Sequence, residues 1–255
     1  MNRCKSVTVP IIVSILFGSA VLWAQEEMSV WQQIDDLNDA KDFAGAFALL
    51  KPLGAEYGSE VRYLWRMARA HFNESDNTTD EAVIEREIYA GFEFAEQALA
   101  ADSMDADANG YYAILIGRVG EIEGTKQKIL NSYDVKKYAM KAAELDDSND
   151  SWPHVLGRWH YTLADLSWFE RTIASIVYAT PPEASFLEAE KFFMKAAELA
   201  PDDVRHFLWL GKTRLELDKD DGARKAFQAA VDLPSKSDSD TIMQEEAREL
   251  LEDLD

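Results

Sequence analysis

The sequence predicts an all-α protein: a solenoid of antiparallel helix pairs carrying one long helical insertion and a C-terminal capping helix. Three observations lead there. Equivalent second-helix alanines, Ala196 and Ala230, are separated by one full period of a known helix-pair repeat. The step from one pair to the next is constant, being the same from Ala142 to Gly157 as from Ala196 to Gly211. Apolar residues recur at helical spacing, whereas strand alternation is absent and Val/Ile runs do not occur after residue 16.

The elements follow in order. Met1 to Ser6 carries Arg3 and Lys5, and Val7 to Trp23 then runs without a charge before Gln25, Glu26 and Glu27. That is the order of a secretory signal, with Gly18-Ser19-Ala20 or Ala24 at the cleavage site, and the stretch is short for a spanning helix. Residues 1–24 therefore read as a signal peptide or N-terminal membrane anchor, and residues 28–255 as the repeat domain. Asp36 to Leu50 gives a first pair with Phe43, Phe47 and Leu50 inward. Pro52, Gly54 and Gly58 break the chain, and Val61 to Phe72 opens the next pair with Leu64, Met67 and Ala68 inward. Ala98 and Ala142 take the second-helix position; Gly117, Gly157 and Gly211 take the first-helix position, where two helices approach closely. Within pairs the separation is shortest from Gly211 to Ala230, longer from Gly117 to Ala142 and longest from Gly157 to Ala196, which predicts turns lengthening along one edge. In the last pair Phe207, Leu210 and Gly211 face Ala223, Phe227 and Ala230, and Pro234 stops the second helix. The stretch Pro234 to Asp240 reads as a linker, and Glu245 to Leu254 as the cap. Small residues beside large apolar ones at this period make the tetratricopeptide pattern.

Composition excludes several functions. With 26 Lys and Arg against 47 Asp and Glu, the formal charge is −21, and nucleic acid is a poor partner for so negative a field. The single cysteine, Cys4, lies in the leader, so neither a disulfide framework nor a thiolate metal site can form, and leader removal takes the charge to −23. His154 and His160 are too far apart for an i, i+4 metal pair and lie beside Pro153, while His71 and His206 stand alone; all four read as packing or surface histidines. Gly117, Gly120 and Gly124 occur in helical context without a preceding strand, so they are no phosphate loop, and no Gly-x-Ser-x-Gly elbow is present. The sequence predicts no enzyme, no cofactor and no metal.

The candidate site rests on aromatics and on local positive charge. Trp152 to Pro182 reads as the long insertion, with Trp159 and Trp168 among Arg158 and Glu170, able either to close a groove over a partner or to pack onto the next pair. Lys126, Lys128, Lys136 and Lys137 cluster in one short stretch, and either hold an anionic head group or are solvated. Tyr112, Lys126, Lys128, Lys136, Arg158, Trp159, Trp168 and Glu170 form the predicted partner- or ligand-binding groove. Two sequons, at Asn73 and Asn77, are placed in a polar loop between helices.

Glu123-Gly-Thr-Lys126, Leu156-Gly-Arg-Trp159, Leu166-Ser-Trp168 followed by Glu170, and Tyr178-Ala-Thr-Pro-Pro182 occur in the order of the regulator of microtubule dynamics family, and Leu64 to Ser75 is similar to its early repeat. The chain resembles that family over most of its length after about residue 30, in the form of an exported bacterial-type relative. The resemblance implies tetratricopeptide-like repeats without enzymatic activity. It also implies attachment to microtubules or spindle poles for some members, and organelle tethering with phospholipid in the repeat groove for others. The expected function is a scaffold binding a protein or peptide in its concave groove; the alternative is a phospholipid-binding or lipid-transfer module using the same groove. Microtubules are partners only for a cytosolic chain. A cleaved leader places the protein in the bacterial periplasm or secretory pathway, and a retained one anchors it to a membrane. Other family members suggest the cytoplasm.

Overall fold

The computed structural model describes residues 30–177 and 179–254, with backbone only at Trp168, Phe169, Ile173 and Val177. The leader, residues 1–24, lies outside the described residues. The helices are α1 (30–39), α2 (Phe43–Leu50), α3 (Gly54–Tyr57), α4 (Val61–Asp76), α5 (Glu81–Ala101), α6 (Ala106–Glu123) and α7 (Thr125–Leu145). Then follow α8 (Ser151–Ala164), α9 (Trp168–Val177), α10 (Phe186–Leu199), α11 (Val204–Leu215), α12 (Asp220–Asp232) and α13 (Asp238–Glu252). No strand occurs among the described residues. The fold is all-α, as expected. The pairs are α4/α5, α6/α7, α8/α10 and α11/α12, with α1 and α2 ahead of them, α9 inserted, and α13 packed on the last pair.

Acids start many of these helices. Asp42, Asp80, Asp105 and Asp203 each accept hydrogen bonds from first-turn backbone N–H groups. Part of the negative charge thus serves orphan donors at the positive ends of helix dipoles.

Side-chain size sets the close approaches. A Cβ on Gly157 would lie 2.7 Å from the Phe193 ring, and one on Gly211 would lie closer still to Phe227. Gly117 does not belong to this set, because a Cβ there would meet only Val135 at 3.4 Å, an ordinary contact. The same constant step, taken from Ala98, lands on Ala113, which packs in one core group with Ala139. An alanine pair therefore does in α6/α7 what glycine and phenylalanine do in the two later pairs. Two other glycines of α6 are close: a Cβ on Gly120 would sit 2.9 Å from Lys128 Cα of α7, and one on Gly110 only 2.1 Å from the Trp152 ring of α8.

Spacing grows differently from the expectation. In α6/α7 the helices themselves are long, 18 and 21 residues, and join at the single residue Gly124 in the left-handed region (φ 90°); α11 and α12 have 12 and 13 residues. Only the α8/α10 pair carries a true insertion, α9 and its flanking loops. Trp152 and Trp159 lie outside that insertion, in α8 itself, and both are buried. Pro153 does not break the helix; it occupies the first turn of α8, where its missing N–H costs no bond. The sequon at Asn73 is in the last turns of α4, with Asn73 bonded to Asn38 and Ser75 buried; only Asn77 to Thr79 forms a turn.

The array returns on itself. The stretch expected to be a linker holds Ser237, the N-cap of α13, and Asp240, only 1% exposed. Lys41 Nζ donates to Asp240 Oδ1 at 2.6 Å, and the Ser239 N–H reaches Asn77 Oδ1 at 3.4 Å. Lys41 itself has φ 60°, a left-handed conformation set by the C-terminal cap of α1, where the Asp42 N–H donates to the Leu37 carbonyl at 2.8 Å and the Lys41 N–H to the Asn38 carbonyl at 2.9 Å.

Candidate functional site

The first helices of successive pairs, α4, α6, α8 and α11, line a cavity of about 180 Å³, which Lys128 of α7 and Met243 of α13 complete. Its cations are Arg118, Lys128, Arg158 and Arg205; its acids are Asp76 and Glu121. Arg118 Nη1 donates to Asp76 at 2.7 Å, and its Nε lies 3.3 Å from Glu121. Arg158 stacks its guanidinium 3.8 Å from the centre of the Trp209 ring, with Nη2 a loose 3.6 Å from Glu121. The Arg158 side chain is 35% exposed, yet its Nε is enclosed and has no hydrogen-bond acceptor among the described residues. Burial draws the Arg158 pKa down from the usual arginine range, against the pull of Glu121.

A second cavity of about 560 Å³ adjoins the first, and the two share Phe72, Asp76, Ile114, Ser151, Arg205, Ser239 and Met243. It lies among the inter-repeat turns, α1, α2 and α13, where Asp39, Asp107, Asp146, Asp150, Asp203 and Asp240 outnumber Lys41, Arg69, Arg205 and Lys236. Burial first, and then the Asp105 charge, push Asp107 up to about 6, against the opposing pull of Arg69 and Arg66.

Beside both cavities runs a buried polar chain. His206 Nε2–H donates to Asp150 Oδ2 at 2.9 Å, and the His206 and His154 Nδ1 atoms share a hydrogen bond at 3.0 Å. His206 is therefore not isolated, although its partner is distant in sequence. Burial would raise Asp150, but the His206 hydrogen bond and the Arg205 charge hold it below the usual carboxylate range. His154 is driven well below the ordinary histidine range, chiefly by burial, and packs neutral. Asp150, Asp203 and His206 offer three ligand atoms within 4.8 Å of one another. Arg205 Nη2 already bonds both carboxylates there, at 3.2 and 2.9 Å, so the protein's own cation serves them. His71 is likewise used in packing, bonded to Glu87 at 2.7 Å and stacked on Phe94.

Of the predicted site residues, the structure brings Lys128, Arg158 and Trp159 together at the first cavity. Trp159 is 4% exposed and donates its Nε1–H to the Ser132 carbonyl at 2.7 Å, so it forms wall and core at once. Lys136 reaches the cavity only through the Trp159 ring, 4.6 Å from its centroid. Tyr112 packs instead between Phe92 and Tyr138. Lys126 is exposed at the start of α7. Glu170 accepts from Ser167 N–H and Oγ–H while Ser167 Oγ accepts from Glu170 N–H, a reciprocal cap on α9. Those bonds hold its carboxyl below the usual range. The Trp168 side chain lies outside the described residues. Sequence reasoning missed Arg118, Trp209 and Arg205. A signal for Arg118 was present: a cation follows each of Gly117, Gly157 and Gly211.

Fold and cavity together define a tetratricopeptide-like helical-repeat scaffold, its first helices turned toward a common hollow. No described helix is long and apolar enough to cross a membrane. The chain belongs to the regulator of microtubule dynamics family: the profile for regulator of microtubule dynamics protein 1-3 matches residues 30–255. It is 33% identical to regulator of microtubule dynamics protein 1 of Bos taurus over 93% of this chain and 74% of that one. The same protein of Mus musculus is 35% identical over 94% and 79%. Against regulator of microtubule dynamics protein 3 of Mus musculus the identity is 33%, over 86% of this chain and 47% of that longer one. Among solved structures, a thermophilic tetratricopeptide protein of Thermus thermophilus superposes with a TM-score of 0.60 at 12% identity, over 87% and 98% of the two chains.

Proposed function

We propose that the protein is a non-catalytic scaffold that holds a protein or peptide partner on its concave face, with the first cavity as anchor point. The observation that supports this most is the partly exposed Arg158 guanidinium lying on Trp209 in the lining of a hollow that four successive first helices share. Flat cation–aromatic pairs of this kind carry binding energy out of proportion to their area. The names of the relatives point to microtubules as one partner, and that reading belongs to a cytosolic form of the chain. The leader favours an exported or membrane-anchored form instead, for which sequencing would find a mature N-terminus at Val21 or Gln25, or an uncleaved one.

The test is crosslinked pull-down from the native compartment with wild-type protein and with Arg158→Gln. Loss of a partner at unchanged helicity is expected, and an unchanged partner set would overturn the reading. Trp159→Ala is a poor probe because that ring is core. A phospholipid in the same groove is the second reading. The first cavity, at about 180 Å³, falls below the roughly 300–1,000 Å³ of sites that enclose drug-sized ligands, which favours a side chain over acyl chains. Native mass spectrometry of protein purified from cells would show co-purified lipid only under the second reading.

A further inference from the structure

We propose that the outer face of α7 and α10, on the side away from the hollow, is the interface for a second copy of this chain. The proposal is independent of what the concave face holds. These two second helices carry one motif at identical spacing: Lys137, Met140, Lys141 and Glu144 on α7, and Lys191, Met194, Lys195 and Glu198 on α10. The residues between them face the core, whereas both methionines face solvent, Met140 45% exposed and Met194 50%. Tyr133 and Leu187, two helical turns before the methionines, are exposed as well. The repeat does not require this pattern, because the equivalent positions hold Glu93 and Glu96 on α5, and Lys225 and Gln228 on α12. Core packing does not account for an exposed methionine placed twice, and flexible thioethers suit a surface onto which other side chains pack.

The two stripes lie side by side: Tyr138 and Phe192, each two residues before its methionine, pack on one core group of Ala113, Ala139 and Leu156. The segment after α9 meets α7 further back, where the Tyr133 hydroxyl donates to the Thr180 carbonyl, and so leaves both methionines uncovered. Charge selects the occupant. Most faces of a chain of charge −21 repel a second copy, but here four lysines stand against Glu144, Glu188 and Glu198. Lys191 with Glu188 at 2.6 Å and Lys195 with Glu198 at 3.8 Å are exposed pairs of small net worth, free to exchange. Both second helices run the same way, so a two-fold axis between them lays α7 of one copy antiparallel on α10 of the other. Met140 then meets Met194 of the second copy, Lys137 its Glu198, and Glu144 its Lys191, and the axis repeats every contact. Two helices about 10 Å wide and about 17 Å long over these stripes offer about 350 Å² per copy, below the roughly 800 Å² of a stable interface. The dimer is therefore weak and concentration-dependent, and it leaves both hollows facing outward, able to engage one partner twice.

Sedimentation velocity tests this on the chain as purified from its native compartment, over about 1 to 200 μM, where the average mass should rise from one chain toward two. Met140→Glu combined with Met194→Glu should weaken association about tenfold or more, and because both side chains are exposed, helicity should hold. Charge exchange tests the register. Lys137→Glu and Glu198→Lys should each weaken the dimer about threefold to tenfold, and the two together should bring it back to within about threefold of wild type. A monomer at every concentration, an unchanged dimer in the methionine variant, or a double exchange no better than the single ones would each overturn the proposal. So would binding of the monomer to phosphatidylserine–phosphatidylcholine vesicles that is lost in the methionine variant, because a lipid surface would then be the occupant of this face.

Discussion

Gly157 and Gly211 are glycine because a phenylalanine ring fills the space a Cβ would need. Gly157→Ala or Gly211→Ala should each cost about 1–3 kcal/mol in urea unfolding, the range of forced overpacking. Gly117→Ala meets only ordinary contact and sits inside a helix, so it should stabilise by roughly 0.5–1 kcal/mol. The three glycines looked alike in sequence. Two were correctly legible from the Ala–Phe pattern of the facing helix, whereas the third was assigned one turn late, because an alanine at 113 fills the same role without drawing the eye. Titration separates two buried groups by sign. Asp107, raised from 3.8 to about 6, binds a proton in the native state that the unfolded chain lacks; its contribution is favourable at low pH and lost as pH rises through that window. Asp107→Asn should therefore raise stability at pH 7 by about 1–3 kcal/mol and give no gain near pH 3.5. His154, depressed by burial, does the reverse: the unfolded chain takes the proton first, so stability falls as pH drops below 6.5.

At the scale of elements, the helix pairs were legible because their alanines recur at a fixed step, and α9 was legible as an aromatic run. The role of Glu170 was also readable, from Ser167 one helical turn earlier, and was missed because the aromatic neighbours suggested a ligand site. Glu170→Ala should speed amide hydrogen exchange across 167–177 and leave the α8/α10 pair protected, since the cap bonds stay within α9 and its first turn. Arg118 was signalled only by the cation that follows each of the three glycines, and Arg205 by nothing in the period. Arg205 reaches the cavity only through the way successive first helices stack, and local periodicity carries no information about that angle.

At the scale of the whole molecule, the contact between Lys41 and Asp240 spans 199 residues. No repeat period predicts it, because it depends on curvature accumulated over every pair. Asp240→Ala should cost about 2–4 kcal/mol, since it leaves the Lys41 ammonium, 17% exposed, without its partner and the Lys236 N–H without an acceptor. Distances between spin labels on α2 and α13 should lengthen in that variant. An open array of helix pairs unravels from its termini, since an end unit has a neighbour on one side only. Here the first and last elements hold each other, so neither end is a free end: a pulling force or a protease meets a closed loop, and the four pairs should come apart in a single step rather than peel away one by one.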